Sequence, residues 1–360
     1  MHKLRTIIFY LTLACIAAAN LSFTLAPSYT KPRNIIIMIG DGMGLAQISS
    51  AMAFYNGINA FERFNVIGLS KTSSADNYVT DSGAGATAIS IGKKTYNNAI
   101  GVDKDSLPQT GLFELAKKRG LSTGVVVTSS ILHATPASFY AHIKNRRWYE
   151  DIAASLLNKQ CDIAIGGGYQ FFSNRKDKRD ITQELQQNGY EVIIDSSEFK
   201  PIIKPRFIYM AAADGMPKMQ QGRGDFLQKA SLCAIENLSK NKQGYIMMIE
   251  GSQIDWGGHE MNFDYMKAEL IDFNSVINMV LNIATENKNT LVIVTADHET
   301  GGLALTENDK QHKQFKPQYT YNEHTGIMVP VFAFGPGAEI FGGMYENTAI
   351  FDKINQLMMW

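Results

Sequence analysis

The 360-residue chain is poor in cysteine and has no excess of charge of either sign. Of its three cysteines, Cys161 and Cys233 lie in strand-like and helix-like stretches and are expected as buried thiols, so we expect no disulfide framework. Thirty-four basic residues balance 34 acidic ones, which excludes a basic nucleic-acid-binding surface. An anionic ligand must therefore be attracted locally, by metal ions, an arginine or a helix terminus.

Long apolar runs are missing after the N-terminal segment: no later stretch has the roughly 20 apolar residues of a membrane span. The first nineteen residues place Lys3 and Arg5 before an apolar stretch, the layout of a signal peptide. We expect export to the periplasm or the extracellular space, with residues 1–19 removed and 20–33 forming an N-terminal extension. A lipid anchor at Cys15 is the less favoured alternative, because the residues around it loosely resemble a lipoprotein signal.

Short apolar runs rich in isoleucine and valine recur along the chain and indicate buried strands. They lie at residues 35–39, 125–127, 163–165, 246–249, 291–295 and 331–334. Helical patterns separate them, at residues 112–119, 148–158, 226–238 and around 265–284. This alternation predicts an α/β fold with a largely parallel sheet, in one domain over residues 34–360.

Polar residues follow three of these predicted strands. Asp41 lies between two glycines after the first run, Glu250 follows the fourth, and Asp297 and His298 follow the fifth. Ligands of open α/β sheets bind at this carboxyl edge, so we expect these side chains to meet. Asp41 fits a metal ligand; the alternatives are a turn residue and a dinucleotide fingerprint, for which the glycine spacing is wrong.

More side chains of metal-ligand type lie nearby. Asp255 and His259 come after Glu250 on a segment whose glycines argue against a continuous helix, and His324 precedes the last strand. Taken alone, such a segment is as often solvated surface, and His324 is more often a surface or core histidine. Together the chain offers too many ligands for one ion: Asp41, Glu250, Asp255, His259, Asp297, His298 and His324. A site for two or three metal ions that binds phosphate is the physical inference.

A candidate hydroxyl nucleophile, Ser82, lies among glycine and alanine residues. Thr80 or Asp81 can cap a helix that begins beside it, and a helix N-terminus favours negative charge. Taken alone, this run is more typical of close helix packing than of catalysis. Arg146 can grip two phosphate oxygens, although its basic neighbours also fit an exposed basic run.

Six motifs occur in one order along the chain. They are Gly40-Asp41-Gly42-Met43-Gly44, Thr80-Asp81-Ser82, His133-Ala134-Thr135-Pro136-Ala137, Glu250-Gly251-Ser252-Gln253-Ile254-Asp255, Thr295-Ala296-Asp297-His298 and Glu323-His324-Thr325-Gly326. In this order the chain resembles the alkaline phosphatase family, from about residue 34 to its end. The resemblance implies a three-layer sandwich, with a large, mostly parallel sheet and helices on both faces. It also implies an enzyme that hydrolyses small phosphate monoesters, releases inorganic phosphate and forms a homodimer.

The resemblance also implies roles for individual residues. One zinc ion would be bound by Asp255, His259 and His324, and a second by Asp41, Asp297, His298 and the Ser82 oxygen. A third ion, usually magnesium, would be bound by Asp41, Thr135 and Glu250. Ser82 would attack phosphorus to form a phosphoserine, and Arg146, held by Asp81, would bind the phosphate oxygens.

Two positions depart from the best-known enterobacterial pattern, which has Asp and Lys where this chain has His133 and Trp256. His133 borders the third site and either favours zinc there or remains a neutral hydrogen-bond donor, so the third ion is magnesium or zinc. Trp256 cannot supply the cationic contact to phosphate that a lysine would, which predicts weaker product binding and faster release than in relatives with lysine at this position. Only 25 residues separate His298 from His324, which predicts a compact member of the family.

Two classes of function compete with a phosphate monoesterase. One is a phosphodiesterase or another hydrolase of the same superfamily, such as a sulfatase. The other is an exported protein that binds metal or phosphate without catalysis.

Overall fold

The computed structural model describes residues 30–55, 57–173, 175–197, 199–307 and 315–360. The predicted signal peptide (1–19), the alternative anchor Cys15 and most of the extension 20–33 lie outside these residues. Within the described ranges, no helix has both the length and the apolar character that crossing a bilayer requires.

The described residues form fourteen strands. In chain order they are β1 (Asn34–Gly40), β2 (Val66–Lys71), β3 (Ser122–Ser130), β4 (Ile163–Gly167), β5 (Glu191–Ile194), β6 (Phe207–Met210), β7 (Tyr245–Gly251), β8 (Thr290–Thr295), β9 (Glu299–Thr300), β10 (Ala304–Glu307), β11 (Phe315–Gln318), β12 (His324–Thr325), β13 (Val329–Phe334) and β14 (Gly343–Glu346). All six apolar runs predicted as strands lie in strands.

The helices alternate with these strands, as predicted. They are α1 (Leu45–Met52), α2 (Ser82–Ile91), α3 (Leu112–Lys118), α4 (Ala134–Ala137), α5 (Tyr149–Ser155), α6 (Gln170–Ser173), α7 (Ile181–Gln187), α8 (Phe226–Leu238), α9 (Gln253–His259), α10 (Phe263–Asn287) and α11 (Thr348–Met358). Short 3-10 turns lie at Ala60–Arg63, Leu156–Asn158, Met219–Gln221 and Ala338–Phe341.

Ten strands form one large sheet in the order β14-β2-β13-β8-β1-β7-β3-β4-β6-β5. Every neighbouring pair in it is parallel except the two pairs that β13 makes, with β2 and with β8. The prediction of a large, mostly parallel sheet is therefore confirmed. The sequence did not reveal four strands of this sheet: β2, β5, β6 and β14. Three of them, β2, β5 and β14, expose part of their side chains, whereas β6 is buried but only four residues long.

The centre of the sheet is β1, which is buried along its whole length. Its Ile36 and Met38 pack with residues of α8 and α10 in one core. Since side chains alternate along a strand, Ile35, Ile37 and Ile39 face the opposite layer, where α3 contacts β3 and β7. Helices thus cover both faces, and the ends of β1, β7 and β8 lie side by side at one edge.

One local expectation was wrong. Gly257 and Gly258 do not prevent a continuous helix after Asp255, because residues Gln253–His259 form the helix α9. A Cβ at Gly257 would lie only 2.5 Å from the backbone nitrogen of Met266, so this glycine allows α9 to approach the start of α10 closely. Its role is close packing rather than a break in the helix.

Candidate active site

The predicted ligands converge at the carboxyl edge of the sheet. Asp41 follows β1, Glu250 lies at the end of β7, and Asp297 follows β8. In the register of these strands, Ile39 of β1 lies between Glu250 and Thr295, so their ends place the three acidic side chains close together. The sheet topology therefore assembles residues that are more than 200 positions apart in the sequence.

The first cluster consists of Asp255, His259 and His324. The two α9 residues are four positions apart and so share one face of the helix, with His259 Nε2 3.3 Å from Asp255 Oδ2. His324 on β12 places its Nε2 3.5 Å from Asp255 Oδ1 and 3.1 Å from His259 Nε2. One ligand atom from each residue lies within 4.8 Å of the others, a spacing that suits one metal ion.

The second cluster consists of Asp41, Asp297 and His298, all of them buried. His298 Nε2 lies 3.3 Å from Asp41 Oδ1 and 3.4 Å from Asp297 Oδ2. Neither of these two carboxylate oxygens has a hydrogen-bond partner among the described residues. A buried oxygen without a partner is costly, so this donor set fits a cation that would satisfy both.

The histidine rings are oriented to present Nε2 to these clusters. His259 Nδ1 lies 2.7 Å from the carbonyl oxygen of Asn322, and His324 Nδ1 lies 2.9 Å from that of Thr80. Because a carbonyl can only accept, both rings donate through Nδ1–H, which leaves the lone pair of a neutral ring on Nε2. This arrangement, with the second ring nitrogen fixed by an oxygen acceptor, is typical of metal-binding histidines.

The pKa values of the carboxyl groups reflect this crowding. Burial, together with the charges of Asp297, Asp255 and Glu250, raises the pKa of Asp41 well above its ordinary value. Burial raises the pKa of Glu250 to about 8 and, with the charge of Asp255, that of Asp297 to about 6. Burial also acts on Asp255, but hydrogen bonding from His259 and the charges of the histidines hold its pKa below the ordinary value. Bound cations would offset the burial and the mutual repulsion that raise the pKa values of Asp41, Glu250 and Asp297.

The ligands expected for a third ion also lie together. The Thr135 side chain hydrogen-bonds to Glu250, and the charge of Glu250 acts on Asp41. Ser129 Oγ also donates a hydrogen bond to Glu250 Oε2 over 3.4 Å. These are oxygen donors, which suit a hard cation such as magnesium.

Ser82 is the first residue of α2 and is buried beside the second cluster. Its Oγ lies 3.2 Å from His298 Nε2. The helix is held against the sheet edge by small residues, since a Cβ at Gly85 would lie 2.9 Å from the carbonyl oxygen of Asp297 and one at Gly83 2.9 Å from that of Ala99. The small residues around Ser82 therefore serve close packing as well as access to the hydroxyl.

Arg146 reaches the same helix terminus. Its Nη1 donates to Asp81 Oδ2 over 2.9 Å, while Asp81 Oδ1 caps α2 by accepting from the backbone nitrogen of Ala84. The backbone of Arg146 donates to the carbonyl of Asn98, and Asn97 Oδ1 accepts from the backbone of Asp81. The basic residue is thus fixed in place rather than part of a free surface run.

The alkaline phosphatase family profile matches residues 32–314. The chain belongs to the alkaline phosphatase family. Alkaline phosphatase 4 of Bacillus subtilis (strain 168) is 32% identical over an alignment that covers 94% of this chain and 92% of that protein. Membership and fold make this chain a phosphatase.

Solved structures of alkaline phosphatases have the same fold. The enzyme from the Antarctic bacterium TAB5 is 43% identical, with a TM-score of 0.88 over 92% of this chain and 99% of that one. A variant of that enzyme, in which one histidine is replaced by aspartate, has magnesium bound in its M3 site; it is 42% identical, with a TM-score of 0.89 over the same shares.

Three aromatic rings, of His133, Tyr149 and Trp256, lie beside the ligands expected for the third ion of this phosphatase. The ring centroid of His133 is 5.6 Å from that of Trp256 and 6.1 Å from that of Tyr149. Burial lowers the pKa of His133 to about 4, so the ring is neutral at neutral pH. Its Nε2 lies 3.9 Å from Asp214 Oδ1 on the loop after β6.

The motifs did not reveal three residues of this site: Asn97, Asp214 and Thr300. Thr300 on β9 contacts residues of both clusters, with Oγ1 2.5 Å from Asp255 Oδ1 and 3.2 Å from His298 Nδ1. Its position two residues after His298 is a sequence signal that could have found it, because alternate residues of an extended segment point to the same side.

Proposed function

We propose that this phosphatase hydrolyses phosphate monoesters through a phosphoserine formed on Ser82. The observation that carries the proposal is the position of the Ser82 hydroxyl, 3.2 Å from His298 Nε2 and beside the unpartnered oxygens of Asp41 and Asp297. This places a nucleophile at a cation-ready site and at a helix N-terminus, both of which favour a dianionic substrate.

Metal ions are part of the proposal. The first and second clusters would each bind a zinc ion, since carboxylate and imidazole ligands form a common zinc shell. Asp41, Thr135 and Glu250 would bind magnesium or zinc. When bound, a pair of ions would stabilise the entering and leaving oxygens of an in-line displacement and lower the pKa of the attacking hydroxyl or water.

The identity of the third ion depends on His133 in this proposal. A neutral imidazole beside the Thr135 and Glu250 donors suits zinc better than magnesium, which prefers oxygen ligands and water. The TAB5 variant with magnesium in its M3 site has aspartate in place of a histidine, which supports this preference. We infer that exchange of His133 for aspartate would shift the third site toward magnesium.

The residues of the chain would divide the remaining work. Ser82 Oγ would attack phosphorus while the ester P–O bond breaks and the alcohol leaves; water would then attack the phosphoserine, which releases inorganic phosphate and restores the hydroxyl. Arg146 donates N–H groups to the non-bridging oxygens, and its hydrogen bond to Asp81 over 2.9 Å orients the guanidinium. Asp81 also caps α2, so it fixes the position of Arg146 relative to Ser82 at the start of that helix.

The decisive experiment compares an aryl phosphate monoester with the matching diester and sulfate ester, in the wild type and in Ser82→Ala. We expect a strong preference for the monoester, and a loss of kcat on the order of 10³-fold or more in the alanine variant, because the covalent step is removed. Acid quenching with a ³²P-labelled substrate should trap label on the wild type alone. Preference for the diester would favour the phosphodiesterase alternative, and full activity of Ser82→Ala would refute the phosphoserine route.

Export and a homodimer complete the proposal. Residues 34–360 would act as one catalytic domain after removal of residues 1–19. Exposed Tyr78, Tyr321 and Ile327 lie near the His324 segment, with the Tyr78 ring packed against Gly326, and these apolar groups support a partner subunit there. Light scattering on the wild type and on Tyr321→Glu would test the dimer; a wild type that is monomeric at micromolar concentration contradicts it.

A further inference from the structure

We propose that Thr300 is a positioning residue that fixes the tautomer of His298 and links the two metal clusters through one hydroxyl. The inference rests on the proposed two-metal function. Thr300 is 1% exposed, and its hydroxyl lies between a ligand of the first cluster, Asp255, and a ligand of the second, His298.

The position of protons follows from the two distances. The Thr300 hydroxyl has a single proton, and the shorter of its two contacts is the one to the carboxylate oxygen Asp255 Oδ1, at 2.5 Å. The proton therefore points to Asp255, and the Thr300 oxygen accepts from His298 Nδ1 at 3.2 Å. The result is a directed chain, Nδ1–H of His298 to Oγ1–H of Thr300 to Oδ1 of Asp255.

This chain fixes the reactive side of His298. With the proton on Nδ1, the lone pair is on Nε2, the atom that faces Ser82, Asp41 and Asp297. The hydrogen bond between Nδ1 and the Thr300 hydroxyl thus selects the tautomer whose Nε2 is free to bind a cation.

The other two histidines use a different kind of acceptor for Nδ1–H, although the His324 ring also stacks on that of His298, with 3.6 Å between the centroids. His259 and His324 donate to backbone carbonyls, of Asn322 and Thr80, which are not metal ligands. His298 alone, among the three cluster histidines, donates to a side chain that is itself hydrogen-bonded to the other cluster. Thus a change in the charge on Asp255 changes how strongly Thr300 holds His298, whereas His259 and His324 keep their anchors.

The backbone of Thr300 is held in place on two sides. Its nitrogen donates to the carbonyl of Gly42 over 3.2 Å, and its carbonyl accepts from Gln47 Nε2 over 2.9 Å. Gly42 has a φ of +69°, and a Cβ there would lie 2.7 Å from Thr300 Oγ1. A residue without a side chain after Asp41 is therefore what lets the hydroxyl reach both clusters.

Valine and serine are matched substitutions for the test. Thr300→Val keeps the shape of the side chain and removes the hydroxyl, whereas Thr300→Ser keeps the hydroxyl and removes the methyl group. Without an acceptor for Nδ1–H, the buried ring is free to protonate Nε2, which would direct a proton toward the second cluster. Loss of such a hydrogen-bond partner typically lowers metal affinity by about 10–100-fold.

Two readouts are needed, both on the full chain. In metal-depleted protein labelled with ¹⁵N-histidine, NMR reports the tautomer of each ring; we expect Nδ1–H for His298 in wild type and Thr300→Ser, and a mixture or Nε2–H in Thr300→Val. Titration of the same proteins with Zn²⁺, in competition with a chromophoric chelator, reports the two affinities. We expect Thr300→Val to lower one of them by about 10–100-fold, and Thr300→Ser to remain closer to the wild type.

The link between clusters has its own arm. Asp255→Asn should alter the ¹⁵N shifts of His298 in the wild-type background and much less in the Thr300→Val background, because the path runs through the hydroxyl. His259→Ala, which removes a ligand of the first cluster without touching Thr300, is the control. An equal effect of Asp255→Asn in both backgrounds overturns the link.

The outcomes separate the inference from the proposed function. If wild type binds fewer than two zinc ions, the proposed function is wrong, and the tautomer experiment still decides the role of Thr300. If wild type binds two ions and Thr300→Val keeps both its tautomer and its affinities, only the inference is wrong. Circular dichroism and thermal unfolding of the metal-depleted variants show whether the valine variant is folded; if it is not, Thr300→Ala, which also removes the hydroxyl, takes its place in every comparison.

Discussion

Both edges of the large sheet bury aspartates, but only at one edge are their oxygens paired with basic side chains. At the amino edge, Asp162 accepts from Lys117 Nζ with both oxygens, over 2.8 and 2.7 Å, and from Arg206 Nε over 2.9 Å. At the carboxyl edge, Asp41 Oδ1 and Asp297 Oδ2 are buried without a hydrogen-bond partner among the described residues. The amino edge thus pairs its aspartate with a lysine and an arginine of the protein, whereas the carboxyl edge leaves two carboxylate oxygens without a hydrogen-bond partner among the described residues.

The difference separates structural charges from ligand-binding ones. A buried carboxylate that is paired and hydrogen-bonded needs nothing further from outside the protein. Carboxylates that repel one another, with raised pKa values at Asp41, Glu250 and Asp297, are stable as a group only when a cation or protons join them. Burial alone does not distinguish the two edges, whereas the partners of each oxygen do.

Removal of metal ions should have the largest effect on this contrast. We expect a strong chelator to lower monoesterase activity by on the order of 10³-fold or more, because the carboxyl edge loses the charges that stabilise the displacement. Stability should fall too, by about 4 kcal/mol if free zinc was 1,000-fold above its dissociation constant. Activity assays and thermal unfolding before and after dialysis, with zinc added back, measure both. Full activity after chelation would contradict a metal-dependent site.

Matched asparagine substitutions at the two edges should change stability in opposite directions. Asp162→Asn removes the acceptor of Lys117 and Arg206 and should lower the free energy of unfolding by about 1–3 kcal/mol. Asp41→Asn removes one of several repelling charges and should raise the stability of the metal-free enzyme by about 1 kcal/mol, while it weakens zinc binding.

Urea unfolding of both metal-free variants at pH 8 tests this contrast. Destabilisation by Asp41→Asn would mean that its carboxylate already has a favourable partner in the protein.

The stability of the metal-free enzyme should fall as pH rises from about 6.5 to 9. Hydrogen bonding to Asp255 raises the pKa of His259 to about 9, and burial raises that of Glu250 to about 8. Both groups hold protons in the folded state that the unfolded chain has released in this range, so the folded state loses its advantage as they titrate. Loaded enzyme should lack this decline. Stability of the chelated enzyme that rises over the same range would contradict the assignment.

Trp256→Lys should have the smallest effect, since it adds one cation at the rim of the carboxyl edge. We expect phosphate to inhibit the variant roughly fivefold more strongly, in line with a partly exposed ion pair, and product release to slow. Trp256→Met, which removes the ring without adding charge, is the control. An unchanged phosphate inhibition constant in the lysine variant would show that position 256 does not reach the product.

Sequence reasoning predicted the fold well where the signal was local. The apolar runs of β1, β7 and β8 identified the centre of the sheet, and the polar residues at their ends identified Asp41, Glu250 and Asp297. Single motifs were weak, and only their order along the chain favoured one family. The sequence did not reveal β2, β5 and β14 because half-exposed residues do not form apolar runs, and it did not reveal β6 because a buried strand of four residues is too short to stand out.

What sequence reasoning missed depends on long-range contacts. The glycines near Asp255 predict a break because glycine is a poor helix former, yet Gly257 lies within α9 at the point where α10 comes too close for a side chain. Thr300 and Asn97 act through hydrogen bonds to residues far along the chain or across a loop. No spacing pattern in the sequence predicts such hydrogen bonds, because they depend on how the folded chain brings distant residues together.

The close packing of α2 against the sheet edge also bears on which mutations the enzyme tolerates. Gly83 and Gly85 carry no functional group, yet each lies where one added methyl group would press on a carbonyl oxygen, of Ala99 and of Asp297. A saturation scan scored by activity would therefore rank these glycines beside Ser82 itself. In such a scan, loss of activity at Gly83 or Gly85 would reflect lost packing, so activity alone would not distinguish these positions from residues that take part in the reaction.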